Sequence, residues 1–88
     1  MKIGWVHCKV SLGFFDTEFY VSVGNASAHI YRGNVRVATP PTVGADVDGE
    51  VLTYVIEERQ EEALVELPGE PVVGGLRNWV PKSSLVAV

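Results

Sequence analysis

The sequence predicts an all-β fold, a single small antiparallel barrel of about five to seven short strands. Sixteen of the 88 residues are valine, which prefers strands. Glycine or proline interrupts the chain throughout, and the longest stretch free of both, residues 50–67, is rich in strand-forming residues. A closed barrel also suits so short a chain, because an open sheet would leave long unpaired edges. We therefore expect residues 1–88 to form one domain.

The first half of the chain alternates apolar and polar residues in short segments, as strands with one buried face do. Four strands are predicted in this half, at residues 3–10, 19–23, 29–31 and 35–37. Residues 11–17 are predicted to form a loop, and Gly33 and Asn34 a turn between the third and fourth strands. Residues 39–49 contain two prolines and little apolar pattern, which indicates a long connector.

A charged hairpin is the clearest feature of the second half. Its strands and the two that follow are predicted at residues 50–57, 63–67, 76–81 and 85–88. The acidic residues 58–62 form the turn of the hairpin, since so short a run cannot hold an isolated helix in water. Residues 68–75 include two prolines and three glycines, so they are predicted to form a wide loop. No repeat at a fixed period is visible.

The charge of the chain is unevenly distributed. The formal net charge is −4, and residues 1–44 carry four cations against two acids, whereas residues 45–88 carry three cations against nine acids. Nucleic-acid binding normally requires a basic face, because phosphate neutralisation supplies most of the affinity. The four cations of the first half are scattered, so we expect no nucleic-acid partner.

Cysteine usage and hydropathy indicate the compartment. Cys8 is the only cysteine, so no disulfide can form within the chain, which agrees with a reducing environment. No apolar run approaches the roughly 20 residues that a membrane helix needs, and no signal peptide is visible. We expect a cytoplasmic protein without a membrane partner.

The end of the chain resembles the end of SH3 domains, which closes their barrel through one turn of 3₁₀ helix. The residues that match the family pattern are Trp79, Val80, Pro81 and Leu85. The resemblance covers residues 78–85 and extends to the strands before them, from residue 63, which would correspond to the central strands of such a barrel. It implies an SH3-like barrel for the chain. The sequence differs at Asn78, where the family has glycine, and at Ser83 and Ser84, where it has the asparagine and tyrosine that help shape the peptide groove. Fold alone implies no function.

Aromatic residues supply the candidate contact surface. Phe14 and Phe15 lie in a predicted loop between Gly13 and Asp16, and Trp79 lies beside a proline. Partly exposed apolar patches of this kind often mark binding surfaces. The full candidate set consists of Phe14, Phe15, Trp79 and Pro81, with Glu58 and Glu61 of the acidic hairpin at the rim. These residues predict a non-catalytic interaction or accessory module that binds a protein partner.

Two alternatives remain open at this point. A chain with so thin a core could be the structural subunit of a homo-oligomer, in which symmetric pairing completes the core. A ligand-binding or catalytic role would draw on His29, Tyr31 and Arg32. We expect no enzyme activity, since no nucleophile elbow, phosphate loop or zinc pattern occurs in the sequence. No metal or other cofactor is expected either, because two histidines supply few ligands and the Asp46, Asp48 and Glu50 loop lacks a calcium pattern.

Overall fold

A computed structural model describes residues 2–88 and confirms an all-β chain. Nine strands and two single turns of 3₁₀ helix make up the fold. The strands are β1 (Lys2–Leu12), β2 (Glu18–Val23), β3 (Ala26–Tyr31), β4 (Val35–Val37), β5 (Val47–Glu58), β6 (Glu62–Glu66), β7 (Gly69–Val73), β8 (Arg77–Pro81) and β9 (Leu85–Ala87). The 3₁₀ turns are Arg32–Asn34, between β3 and β4, and Lys82–Ser84, between β8 and β9. The second turn lies where the pattern at the chain end predicts it.

The strands form one curled antiparallel sheet, a half-barrel whose architecture is compatible with an SH3-like barrel. Its hydrogen-bonded order is β7-β3-β2-β1-β5-β6-β8, and the three-residue strands β4 and β9 pair with β5 and β1. The long strands β1 and β5 form the central ladder, from Lys2 opposite Val55 to Val10 opposite Val47. The predicted charged hairpin is present as β5 and β6, with a register shift between Val55 and Glu57.

The concave side of the sheet holds a single apolar core. Alternate residues of β1, β2, β3, β5 and β6 enter it, as the period of two requires, together with Val80 of β8, and most of the buried residues are valine. The buried members are Val6, Cys8, Val10, Phe19, Val21, Val23, Ala28, Ile30, Val51, Val55, Ala63, Val65, Leu67 and Val80. Buried Thr53 satisfies its hydroxyl by donating to the carbonyl oxygen of Gly4 at 2.9 Å. The other side of the central ladder faces solvent and carries the charged side chains.

The two halves of the chain repeat one pattern of strand pairing about an approximate two-fold axis. Strands β1, β2, β3 and β4 correspond to β5, β6, β8 and β9, so each half ends by pairing its last strand with the first strand of the other half. The corresponding pairs are Val10–Val21 and Val55–Val65, Phe19–Ile30 and Ala63–Val80, and Val6–Leu85 and Val51–Val35. The hydrogen bonds that lead into the 3₁₀ turns also correspond. Arg32 N–H donates to the Thr17 carbonyl at 2.9 Å, and Lys82 N–H to the Glu61 carbonyl at 3.0 Å.

This structural repeat is hidden in the sequence because equivalent positions hold different residues. Tyr31 and Pro81 precede the two 3₁₀ turns with nearly the same backbone dihedral angles, φ −52° and ψ 132° against φ −60° and ψ 138°. The turn that joins β2 to β3 is Gly24 and Asn25, whereas the equivalent connection between β6 and β8 is much longer. A fixed sequence period therefore does not exist, although the strand pairing repeats.

The longer connection, between β6 and β8, contains a strand where a loop was expected. Residues 69–73, predicted to lie in a wide loop, form strand β7, which pairs antiparallel with the outer edge of β3. All five residues of β7 lie at least partly in solvent, so the strand is held by backbone pairing and lacks an apolar alternation that would reveal it. The expected turn at Gly33 and Asn34 is also different in kind. It is a 3₁₀ turn after which β4 joins β5 and not β3.

Candidate interaction surface

Two phenylalanines project from the loop that joins β1 to β2. Phe14 is 86% exposed and Phe15 is 69% exposed. The loop closes where the Glu18 N–H donates to the Phe15 carbonyl at 3.2 Å. Gly13 permits this closure, because a Cβ at residue 13 would lie 2.8 Å from the carbonyl oxygen of Glu18. The loop backbone thus places two apolar rings in solvent, outside the apolar core.

The connector between β4 and β5 adds apolar surface near the same end of the molecule. Val43 is 90% exposed, and Leu12 at the end of β1 is also exposed. Residues 42–46 and Ser11 and Leu12 line an open cleft of about 560 Å³. We group the exposed apolar residues Leu12, Phe14, Phe15 and Val43 at this end of the molecule under the name loop-end patch. Its four large apolar side chains come from two separate segments of the chain.

His29 lies beneath one side of the loop-end patch. Its ring is 5.1 Å from the Phe14 ring and 5.5 Å from the Tyr20 ring, centroid to centroid. The buried His29 Nδ1 lacks a hydrogen-bond partner among the described residues, and the carboxylate oxygen Oε1 of Glu18 stands 3.6 Å away. That separation is too long for a strong hydrogen bond. Histidine and aromatic side chains thus share the outer face of β2 and β3.

The other residues considered for a ligand site point elsewhere. Tyr31 is 64% exposed at the end of β3. Arg32 covers the ring of Phe19, with its guanidinium carbon 4.3 Å from the ring centroid, and donates from Nε to the carbonyl of Glu18 at 3.2 Å. Arg32 is thus held against Phe19 and the Glu18 backbone, and Tyr31 extends largely into solvent.

Trp79 lies on β8, half-buried on the outer face of the sheet. The guanidinium carbon of Arg59 stands 3.9 Å above the centroid of its indole ring, a cation–π contact. Arg59 comes from the β5–β6 turn, whose exposed tip also carries Glu61. Pro81 is exposed at the last position of β8. The proline ends the strand and begins the second 3₁₀ turn.

The structure separates the expected contact residues into two groups. Phe14 and Phe15 follow β1 at the end of the ladder where Val10 pairs with Val47. The second group lies beyond the opposite end and comprises Glu58, Glu61, Trp79 and Pro81. The molecule is elongated, with a longest dimension of 38 Å. One small partner epitope cannot cover both groups, so they are two surfaces.

The acidic hairpin is largely neutralised by cations of the same chain. Glu58 accepts a hydrogen bond from the Lys2 ammonium at 2.8 Å, and Lys82 Nζ lies 3.9 Å from its other oxygen. The hydrogen bond from Lys2, reinforced by the charge of Lys82, holds the pKa of the Glu58 carboxyl below its ordinary value. Arg77 donates to Glu66 at 2.9 Å. Because of these exposed ion pairs, the negative electrostatic potential around the hairpin is weaker than its number of acidic residues indicates.

Cys8 is a core residue. It is 8% exposed, and burial, reinforced by the charges of Glu50 and Asp48, raises the pKa of its thiol to about 12. Nucleophilic attack requires the thiolate, which this environment suppresses. His7 points to the opposite face of β1, where its Nδ1 lies 3.3 Å from the carbonyl oxygen of Gly49. The two adjacent residues do not form a catalytic pair.

Two of the three acids in residues 46–50 are paired with cations. Asp48 Oδ1 lies 2.6 Å from Lys9 Nζ, and Glu50 Oε1 lies 2.6 Å from Arg36 Nε. Within residues 2–88, no group of three or more histidine, cysteine or acidic side chains is arranged to hold a metal ion. Over the same range, no helix has the length and apolar character to span a membrane.

Sequence reasoning missed the arginine stacking partners of both tryptophans. Arg59 covers Trp79, and the guanidinium carbon of Arg36 stands 4.2 Å from the ring centroid of Trp5. In each case the residues are far apart in sequence or lie on different elements, so no local signal marks the contact. The equivalence of His29 and Trp79, at the same position of the structural repeat, was also hidden.

No family model, curated protein or solved structure matches the chain. The geometry of the described residues is therefore the basis for assigning a role.

Proposed function

We propose that this protein is a non-catalytic interaction module that binds a protein partner through the loop-end patch. The observation that carries the proposal is the exposure of Phe14 and Phe15, at 86% and 69%, in the loop between β1 and β2. Exposed aromatic side chains contribute strongly to association when a partner covers them, because they bury large apolar areas. Within the fold they contribute little.

The geometry of the other candidate residues supports a binding role over catalysis. Burial raises the pKa of the Cys8 thiol, Tyr31 is largely exposed, and the guanidinium of Arg32 is stacked on Phe19. A small half-barrel of this kind is compatible with an SH3-like barrel, a fold that serves unrelated functions on one scaffold. We place the protein in the cytoplasm and assign it no nucleic-acid partner, on the grounds of charge and cysteine content.

The proposal is tested by cross-linking and then by affinity. A photoreactive phenylalanine analogue at position 15 captures the partner in the source cell, and the purified partner is titrated with wild type and with the F14S/F15S variant. We expect the double variant to bind at least about tenfold more weakly, since losing one or two aromatic contacts removes roughly 1.5–3 kcal/mol.

A V72S/V73S variant is the matched control, because these two valines are also adjacent, apolar and about half exposed, but lie on β7. It should bind like wild type. If F14S/F15S binds every captured protein with wild-type affinity, the loop-end patch is not the contact surface.

Self-association in a homo-oligomer is the second candidate. It is favoured by the same exposed rings and by the sheet edges at β7 and β8, whose outer sides pair with no other strand among residues 2–88. Sedimentation equilibrium at micromolar concentration separates the candidates. A single species of 9.6 kDa, the mass of one chain, excludes the oligomer.

A further inference from the structure

Strand β8 presents an unpaired outer edge to solvent. No strand within the described part of the chain pairs with that side of β8, which ends the sheet order. The hydrogen bond from Lys82 N–H to the Glu61 carbonyl shows that these two residues form a hydrogen-bonded pair next to the β6–β8 ladder. Because hydrogen-bonded pairs alternate in antiparallel strands, Asn78 and Val80 bond to β6, and the backbone groups of Arg77 and Trp79 point outward. These outward groups can receive another strand.

The same edge in the other half of the molecule already holds such a strand. Strand β3 is the two-fold equivalent of β8, and His29 is the equivalent of Trp79. β7 pairs with the outer edge of β3, with Glu70 opposite His29 and Gly69 opposite Ile30. β7 exists because the β6–β8 connection is long. The equivalent β2–β3 connection is the two-residue turn of Gly24 and Asn25, which is too short to cover β8.

Three cationic side chains lie on or next to β8. Arg59 stacks on Trp79, Arg77 begins β8, and Lys82 follows it. Their acidic partners, among them Glu57 and Glu66, lie on β5 and β6, further from the edge. Glu57 Oε2 stands 3.7 Å from Arg59 Nε, and both side chains are more than half exposed, so the pair can exchange partners at little cost. Because Arg77 lies two residues from Trp79 on the same face of β8, a carboxylate opposite Trp79 would approach Arg77 and the Arg59 that stacks on Trp79.

We propose that the outer edge of β8 binds an extended segment of a partner protein, antiparallel to β8, with an acidic residue opposite Trp79. The segment adds a strand to the sheet as β7 does at β3. Main-chain hydrogen bonds to Arg77 and Trp79 supply its affinity, and the carboxylate near Arg59 supplies its selectivity. This surface lies at the opposite end of the β1–β5 ladder from the loop-end patch. A result that excludes binding at one of the two surfaces therefore does not exclude binding at the other.

The β7 segment itself provides the probe. A synthetic peptide with the sequence of residues 67–76, which contains Glu70, is titrated up to ~1 mM into ¹⁵N-labelled protein. We expect saturable shifts of the backbone amides of Arg77 and Trp79. A peptide with lysine in place of the glutamate should bind about fivefold more weakly, which corresponds to one ion pair at a partly exposed site.

A charge reversal in the protein sharpens the test. The R59E variant should prefer the lysine peptide to the glutamate peptide, whereas the R36E variant, which alters the arginine stacked on Trp5, should keep the wild-type preference. Circular dichroism verifies that both variants fold. The swapped preference separates recognition by Arg59 from a general loss of stability.

Three results would overturn the proposal. The first is the absence of saturable shifts at Arg77 and Trp79. The second is a shift pattern confined to β3, which would mean that the peptide displaces β7 and leaves β8 vacant. The third is a concentration-dependent shift of β8 amides without peptide, which would assign the edge to a second copy of the chain.

Discussion

Val6 and Val51 lie opposite one another in the β1–β5 ladder, and both are fully buried. On its other side Val6 pairs with Leu85, and Val51 pairs with Val35. The two valines therefore hold equivalent positions in the structural repeat, and the approximate two-fold axis passes between them. The last strand of each half, β4 or β9, pairs with the first strand of the other half, β5 or β1. The halves therefore share one core and cannot separate without breaking both of these strand pairs.

Equivalent core positions should contribute comparable stability. We expect V6A and V51A each to lower the free energy of unfolding by about 2–3 kcal/mol, since each removes two buried methylene equivalents and leaves a cavity. Urea denaturation followed by tryptophan fluorescence measures the change. V86A, at a position about half exposed on β9, is the control and should cost less than ~0.5 kcal/mol. A large difference between V6A and V51A would contradict the equivalence of the two sites, and a biphasic urea transition would show that the halves unfold separately.

Cys8 should react only in unfolded protein. Burial raises the pKa of its thiol from 9.0 to about 12, so the native thiol stays neutral at ordinary pH. An aromatic disulfide reagent at pH 8 should label the denatured chain at once and the native chain only as fast as it opens. Rapid stoichiometric labelling of the native protein would contradict this placement.

The same thiol should make stability fall at alkaline pH. The raised pKa favours the protonated thiol in the folded state, so its contribution is complete below pH 9 and declines as the pH rises towards 12. The decline attributable to Cys8 should approach 1.4 kcal/mol per pH unit. Urea midpoints between pH 8 and 10 should therefore fall more steeply for wild type than for C8A, which cannot titrate at this position. Parallel pH profiles would contradict the prediction.

Arg59 should shield Trp79 from solvent. In a W5F background, which leaves Trp79 as the remaining tryptophan, R59A should increase iodide quenching and cost about 0.5–1 kcal/mol of stability. R77A removes a nearby exposed arginine that pairs with Glu66, and it should leave the quenching of Trp79 almost unchanged. Equal quenching in all three proteins would show that Arg59 does not occupy the indole face in solution.

Gly69 should be required for β7 to reach β3. A Cβ at residue 69 would clash with the carbonyl oxygen of His29, whereas one at Gly75 would meet no atom within 4 Å. We expect G69A to destabilise the fold by about 1–3 kcal/mol, as overpacking does, and to accelerate hydrogen exchange of the outward amides of β3. G75A should leave both quantities unchanged. Unaltered exchange in G69A would mean that β7 is not held against β3 at this point.

Much of the architecture was accessible from local patterns. The alternation of residues 3–10 and 19–23 identified two strands, because each residue's face depends only on its neighbours. The charged turn at residues 58–62 marked a hairpin. The match at Trp79, Val80 and Pro81 indicated the 3₁₀ turn that follows, which depends on dihedral angles near Pro81.

Strand β7 escaped prediction for a physical reason. Its side chains remain at least partly in solvent, so no apolar alternation marks the strand, and its glycine and proline, followed by two more glycines, are typical of a loop. The strand forms because the backbone of β3 offers unpaired donors and acceptors, and β3 lies some 40 residues earlier in the chain. The structure places Phe14 and Trp79 apart for a similar reason, since the antiparallel run of β1 and β5 carries the β1–β2 loop and the β5–β6 turn, whose Arg59 stacks on Trp79, to opposite ends. That these residues bind a partner stays a prediction.

The sequence by itself determined the strand character, the buried valine face and the hairpin loops that carry Phe14 and Glu61, because these depend on residues close together in the chain. Only the tertiary structure decided which edges pair, how the halves interlock, and which arginine covers each tryptophan. Those outcomes depend on backbone hydrogen bonds and side-chain contacts between distant segments. Every residue except proline carries the same backbone donor and acceptor, so the pairing of strand edges is only weakly encoded in the order of amino acids.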